Sequence, residues 1–542
     1  MCGITAPWLD ALALRYALLK WIRVVAFFSQ VQPLSAGDRL ELVGSRDRDE
    51  DYADLLVRLC REAGAELQIR WQDSPPQAPY SAPPNRGLRR MAARAAGALQ
   101  PRRAGGGSRA RVVLCGNPRL LDPLCGELLA RRKEVCWLYD RFAFRSWFRW
   151  RWAGAGQLVC DSSLGRRNRI PNPTLPPMVC RRIDLAPLAR RWLTVRLAAR
   201  GSQHTRLIEQ IDVHFARLRP TTVVVDQDAT PMARAAVAIG RLHGATSWVV
   251  QHGAPCGRFG FSPLAADGIF AWGRSSARQL AAWGVPTRQI LPTGSPWHDH
   301  LYHRLAPVRQ RSVRRYKSRR TLSSGPRILL LATVPPRDDR PDPLTQRSNT
   351  HTHGEMLRTA FAAVAKRPGA SLIVRPHPRA PCDPAVQALL ARYRTVRGRV
   401  IQKGPLEEWL AGADCVLSCM SSAGIDATLA GVPVIQLLPQ GSGEVLPHGE
   451  WGLVGTARTE AELDRLLAEV LDGQFAGTPQ ANPDVFGSFE RPAAARIADV
   501  VLAPSRRGPP RPHFSPVDRL ESKPAAAEAL PATSPSSEVE LA

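Results

Sequence analysis

Lysine is scarce in this chain. Six lysines stand against 68 arginines in 542 residues. With heavy alanine, proline and glycine usage, that imbalance points to a GC-rich genome rather than to selection for a basic partner. No helix-turn-helix, zinc-finger or RNA-recognition pattern accompanies the formal charge of +27, so nucleic-acid binding is not indicated. A basic surface would still attract anionic lipid or acidic substrates. No run of about twenty apolar residues occurs, which argues against a transmembrane helix. The first residues also lack the basic start, apolar run and small-residue cleavage site of a secretory signal. The eleven cysteines are scattered and include no CxxC pair. Several (Cys115, Cys136, Cys415) sit inside apolar strand-like runs, as buried thiols of a reducing cytosol do, rather than disulfides or zinc ligands.

What is present is a pair of strand-to-loop junctions. Ser371-Leu-Ile-Val-Arg-Pro-His-Pro378 is an apolar run broken by Arg375, His377 and prolines. Residues 414–437 read as strand, then a helix from Ser422 to Ala430 stopped by Gly431, then strand again. Ser421 and Ser422 open that helix. Its N-terminus offers unpaired N–H groups and a partial positive charge, a setting that binds phosphate. Ligands of open parallel sheets bind beyond the carboxyl ends of the strands, so the site reads as a holder of a nucleotide monophosphate or diphosphate.

Alternating strand and helix patterns extend over most of the chain and predict an α/β fold. Residues 1–38 form an amphipathic segment, with Leu14, Leu18, Trp21, Val25 and Phe28 on one stripe of a helix over 10–28. That stripe suits either a membrane interface or a protein core. Residues 39–306 are assigned to a first Rossmann-like domain, with 74–110 a Pro-, Gly-, Ala- and Arg-rich disordered insertion. Within it, Arg141–Trp152 interleaves tryptophan with arginine, a pattern that suits lipid headgroups. Residues 307–326 are a basic linker, 327–503 a second Rossmann-like domain, and 504–542 a disordered tail.

Two such halves, with Gln251-His252-Gly253 and Thr293-Gly294-Ser295-Pro296 in the first and the RPHP and SS loops in the second, resemble a known group. They look like GT-B glycosyltransferases of bacterial surface-polysaccharide synthesis, close in pattern to capsule and polysialic-acid transferases and CDP-glycerol glycerophosphotransferases. The resemblance covers residues 205–475 well and 111–200 loosely. It implies two Rossmann-like domains facing across a cleft, and transfer of a sugar or polyol phosphate from a nucleotide-activated donor to a surface glycan or its lipid-linked precursor. It implies that Arg375, His377, Ser421 and Ser422 hold the donor phosphate. It also implies that Asp426 binds the ribose hydroxyls and that His252 is the general base. Asp stands at 426 where Glu is commoner. The acidic pair plus glycine of several sialyltransferases is missing, since Asp338-Asp339 is followed by Arg340.

Asp226-Gln227-Asp228 matches the DxD that holds a divalent metal in GT-A enzymes. It precedes a helix opened by Pro231 in the half without phosphate loops, so the preferred reading is a helix cap or a lining of the acceptor cleft. His298 and Asp299 lack a third partner at metal-ligand spacing. No metal and no cofactor beyond the donor is expected. The expected partners are a nucleotide-sugar or CDP-polyol donor, a glycan or polyprenyl-linked acceptor, and an anionic membrane surface met by residues 10–28 and 141–152. The expected location is the cytoplasm, at the inner face of the plasma membrane. A UDP-sugar 2-epimerase of the same fold, a metal-dependent transferase using Asp226 and Asp228, and a non-catalytic glycan- or membrane-binding scaffold are the competing readings.

Overall fold

The computed structural model describes residues 33–71, 111–139, 153–160, 175–311, 325–333, 349–377, 383–440, 451–473 and 482–503, apart from single positions, with residue 150 and part of 14–25. The expected insertion at 74–110, nearly all of 141–152, the linker from 312 to 324 and the tail at 504–542 lie outside the described residues.

The chain begins with a parallel pair, β1 (Arg39–Gly44) and β2 (Glu66–Trp71), joined by helix α1 (Arg46–Ala63). This pair is a two-stranded sheet of its own, so the expected first domain of 39–306 is not one continuous sheet. The next elements are β3 (Arg111–Cys115), α2 (Pro118–Ala130), β4 (Glu134–Tyr139), β5 (Gly156–Val159) and a short hairpin of β6 (Val179–Cys180) and β7 (Ile183–Asp184). There follow α3 (Ala186–Leu218), β8 (Thr222–Val225), α4 (Pro231–Leu242), β9 (Thr246–Val250) and β10 (Gly268–Ala271). The half closes with α5 (Arg274–Ala282), β11 (Ile290–Pro292) and α6 (Pro296–Arg304). Its seven-stranded sheet runs β11-β10-β9-β8-β3-β4-β5, parallel throughout.

The second half holds β12 (Arg327–Leu331), α7 (Asn349–Ala365), β13 (Ser371–Arg375), α8 (Pro384–Arg392), β14 (Arg397–Val400) and α9 (Leu406–Leu410). It continues with β15 (Cys415–Cys419), α10 (Ser422–Leu429), β16 (Val434–Leu437), β17 (Gly455–Ala457), α11 (Glu460–Leu471), α12 (Pro483–Phe486) and α13 (Ala493–Leu502). Its six strands run β14-β13-β12-β15-β16-β17, also parallel. Counted within each half, the second sheet has the 3-2-1-4-5-6 order of doubly wound Rossmann folds, and the first has the same order with a seventh strand added at its edge. The fold is α/β with two Rossmann-like domains, as expected for the GT-B class. Central strands such as β12 and β15 are apolar along their length because helices cover both faces.

The last helix crosses back. Ile497, Ala498 and Val501 of α13 pack with Val112, Leu121 and Val224 in the core of the first sheet. Arg131 of α2 pairs with Asp499 at 2.8 Å. Sequence order alone had counted this helix with the second domain. An apolar stripe on α13 finds its matching surface on α2, and that decides its place.

The N-terminal stripe is also covered by protein. Trp21 is 2% exposed and Val25 fully buried, packed with Leu55, Leu59, Ile183 and Leu188. For these residues the cover is protein, one of the two settings expected of the stripe, while Ile22 beside them is 38% exposed. Trp150, the one described residue of 141–150, is buried too. It stacks on Trp137 and donates its indole N–H to Asp122 Oδ1 at 2.7 Å. Among the described residues no helix is long and apolar enough to cross a membrane.

Candidate functional site

The strand order of the second sheet reverses between β12 and β15. Leu331, at the carboxyl end of β12, is in register with Arg375 of β13 on one side and Ser418 of β15 on the other. Arg375 and Ser418 therefore lie two strand spacings apart, about 10 Å, at the switch point where such sheets bind ligands. Arg375 donates from Nη2 to the Gly404 carbonyl at 3.2 Å, while its buried Nη1 has no hydrogen-bond partner. Burial lowers its pKa and the neighbouring Glu407 opposes that fall. A half-buried guanidinium with an idle N–H is a cation short of an anion. His377 follows two residues later, partly buried, its carbonyl accepting from Ala380 N at 2.8 Å.

Ser421 caps α10, accepting from the N–H of Ala423 at 3.3 Å, and Ser422, its first helical residue, is exposed. Ser418 holds this turn from below. Its hydroxyl accepts from Ser421 N and donates to Ser421 O. Glycine is required at 424 because a Cβ there would lie 2.4 Å from Ser418 Oγ. The helix start is thereby pressed against the end of β15, two strands from the end of β13. Burial, with Asp383 nearby, pushes the thiol of Cys419 up to about 12, so this cysteine is an inert packing group.

In the first sheet the corresponding switch point lies between β3 and β8, with Cys115 in register with Val225. Asp226 follows β8, and its Oδ2 accepts from Asn117 N at 3.0 Å. Gly116, at φ +148°, leaves room for that carboxylate, since a Cβ there would stand 2.3 Å from Asp226 Oδ1. Burial raises the Asp226 pKa, against hydrogen bonds that favour the charged form. Asp226 thus ties β8 to the start of α2. Asp228 departs from the cleft-lining expectation: it is 1% exposed and accepts from both Ala265 and Ala266 N–H groups. A carboxylate enclosed by two backbone donors and the buried Arg234 is a loop anchor, because leaving those donors empty would cost more than a contact with solvent gains. Among the described residues no group of three His, Cys, Asp or Glu is placed to hold a metal.

His252 leaves the end of β9 on a turn fixed by its neighbour. Gln251 is fully buried, and its amide donates to Gly253 O at 2.8 Å and Ser276 Oγ at 3.0 Å. Its Oε1 accepts from Trp272 N at 2.8 Å, and its carbonyl accepts from the Trp272 indole at 3.0 Å. The His252 ring stacks on Phe261 with centroids 4.6 Å apart, and its buried Nδ1 has no hydrogen-bond partner. Burial lowers its pKa, opposed by a hydrogen bond with the Asp226 backbone, so the imidazole is neutral near pH 7. Ala254, two residues on, packs in a core shared with Leu329, Leu331 and Ile425 of the second domain. The turn therefore lies at the junction of the two halves.

Asp426 faces that same junction. Its Oδ1 is 3.0 Å from His298 Nε2, on α6 of the first domain. Two more contacts cross nearby: Arg304 pairs with Glu407, and Arg309 donates to Leu429 O at 3.1 Å, closing the C-terminus of α10. The contacts of His298, weighed from sequence only as a metal ligand, and of Arg309 escape sequence reasoning because their partners lie more than a hundred residues away. Gln251 was visible as part of a motif, though its role as an anchor was not. A buried pair, His353 Nε2 and Asp383 Oδ2 at 2.8 Å, also went unread. Asp383-Pro384 is a recognisable helix cap, and only the fold brings α7 against it.

No family model matches the chain, and no curated protein sequence matches it. Among solved structures the chain is similar to a UDP-GlcNAc 2-epimerase from Neisseria meningitidis bound to UDP-GlcNAc, at 13% identity and TM-score 0.45, over 72% of this chain and 99% of that one. It is similar to MnaA of S. aureus in a structure with UDP, at 13% identity and TM-score 0.46, over 72% and 96%. It is also similar to the wall teichoic acid polymerase TagF, at 11% identity and TM-score 0.36, over 72% and 88%.

Proposed function

We propose that this protein is an enzyme that transfers a sugar, or a polyol phosphate, from a nucleotide-activated donor to a hydroxyl of a cell-surface glycan or its lipid-linked precursor. The observation that carries the reading is the switch point of the second sheet. There an incompletely paired Arg375 stands at the end of β13, across one strand from the serine-capped start of α10. A cation and the positive end of a helix dipole meet where a diphosphate would sit.

In this reading Arg375, His377, Ser421 and Ser422 hold the donor phosphates and stabilise charge on the leaving nucleotide. Preorganised donors aimed at developing charge are the largest single contribution in many such reactions. Asp426 accepts hydrogen bonds from the ribose. His252, neutral near pH 7 and oriented by the anchored Gln251 turn, removes the proton from the acceptor hydroxyl as it attacks. Closure of the domains excludes water and limits donor hydrolysis. Asp226 and Asp228 are committed to backbone N–H groups, so the phosphates are assigned to protein cations and amides rather than to a DxD-bound metal.

The test is calorimetric titration with CMP, CDP, UDP and GDP in chelator, on the wild-type protein and on His377→Ala and Arg375→Ala. One nucleotide should bind, and both variants should bind it at least about tenfold more weakly. Folded protein that binds none of the four, with or without manganese, removes the transferase reading.

A further inference from the structure

The two ends of the proposed reaction site are joined by an unbroken chain of contacts. The Gln251 carbonyl accepts from the Trp272 indole at 3.0 Å. The Trp272 ring meets His298 edge to face, with centroids 4.3 Å apart and planes at 89°. Phe486, from the segment returning to the first domain, closes the other side of His298 at 4.8 Å. His298 then reaches Asp426 Oδ1 at 3.0 Å. Every ring in this path is at most 3% exposed, and His298 is fully buried.

The protonation of His298 follows from its surroundings. Its Nδ1 is buried without a hydrogen-bond partner. A bare lone pair there costs less than a stranded N–H, so the proton sits on Nε2 and is donated to Asp426. Trp272 and Phe486 leave the ring no room to rotate. The side chain of Asp426 retains 17% exposure, so the carboxylate is gripped at one oxygen and still open to solvent. Arg309 holds the far end of the same helix through Leu429 O, so α10 is fixed at two points by residues that precede the second sheet.

We propose that His298 is a positioning residue for the donor: it aims the Asp426 carboxylate at the ribose hydroxyls of a bound nucleotide and ties that carboxylate, through Trp272, to the turn that carries His252. This rests on the donor-site reading above. Ribose recognition then depends on a residue of the opposite domain, so the sugar of the nucleotide is read only when both halves are correctly docked. His298 touches neither donor nor acceptor, and acts through Asp426.

The experiment compares UDP and CDP with their 2′-deoxy and 3′-deoxy counterparts by calorimetry. Wild-type protein should prefer the ribonucleotide by about tenfold, the scale of one hydrogen bond to a charged group. His298→Phe keeps a ring between Trp272 and Phe486 and removes the donor, and its ratio should fall toward one. His298→Gln, which can return an N–H to Asp426, should restore most of it. In an Asp426→Ala background, His298→Phe should change the ratio no further, an outcome a merely structural role would not give. A ratio unchanged in His298→Phe, or a wild type that ignores the deoxy substitutions while binding UDP or CDP, overturns this inference and leaves the donor site standing. A wild type that binds none of these nucleotides removes the donor site itself. If His298→Phe does not fold, 15N-histidine spectra of wild-type protein decide, with His298→Gln for assignment. UDP should shift the Nε2–H resonance of His298 more than 2′-deoxy-UDP does, and equal shifts overturn the inference.

Discussion

Gln251 and Trp272 are joined twice, by Trp272 N to Gln251 Oε1 at 2.8 Å and by the Trp272 indole to the Gln251 carbonyl at 3.0 Å. Trp272 lies just beyond β10 and Gln251 just beyond β9, so this pair binds two neighbouring strand ends and sets the angle at which His252 leaves the sheet. Replacing Gln251 by leucine strands a buried Trp272 N–H and empties the contact to Ser276. The expected loss is about 3 kcal/mol of unfolding free energy, given about 1–3 kcal/mol for each buried donor left unsatisfied. Urea unfolding measures it, and a change below about 0.5 kcal/mol would show that the turn is held by other means.

Arg375→Ala should weaken nucleotide binding by about tenfold to a hundredfold, the worth of a charge-assisted hydrogen bond to phosphate. Arg375→Lys should recover little, because a point charge replaces a planar fork that also holds the Gly404 carbonyl. Calorimetry on the three proteins decides. Equal affinity in all of them would place the phosphate elsewhere.

The pH dependence of turnover should carry the mark of His252. Burial holds its pKa below the ordinary histidine value of about 6.5. A base must be unprotonated to act, so kcat/KM should be level above that value and fall only as pH drops through the depressed pKa. His252→Ala should abolish the acid limb together with most of the activity. An acid limb that survives in the residual rate of the variant would assign it to another group.

Asp228→Asn tests the DxD against its structural role. The amide can keep the one oxygen that accepts from both Ala265 and Ala266 but removes the charge that offsets the buried Arg234. Stability should drop by about 2 kcal/mol, while nucleotide affinity should show no dependence on manganese in either protein. Metal-dependent affinity in the wild type that disappears in Asp228→Asn would restore the metal-site reading.

Trp21→Ala separates a core helix from a membrane anchor. Removing a fully packed tryptophan should cost about 3–5 kcal/mol. Flotation with anionic vesicles should be unchanged, because Trp21 faces Leu55 and Leu188 rather than solvent. Lost vesicle binding with unaltered stability would return residues 10–28 to the lipid surface.

Much of the architecture could be read from local pattern. Runs such as Arg327–Leu331 and Cys415–Cys419 are short, apolar and followed by polar breaks, and they became central parallel strands. Ser421-Ser422 before Ile425 and Leu429 announced a capped helix, and the cap is there. Amphipathic stretches were read less well. Trp21 and Val25 form a stripe whether their cover is lipid or protein, since periodicity records that a face is hidden and not what hides it.

The amino-acid sequence by itself determined the alternation of strands and helices, and with it two parallel sheets, because buried strands, helix caps and turns are set by residues close in the chain. It also placed Arg375, His377 and the two serines at strand ends. The tertiary structure decided which of those ends lie together, that α13 returns to the first sheet, and that Asp228 is an anchor enclosed by Ala265 and Ala266. It alone paired Asp426 with His298, 128 residues earlier. A contact of that span leaves no periodic trace in the chain, because it exists only once the two separately built halves have been brought together by packing.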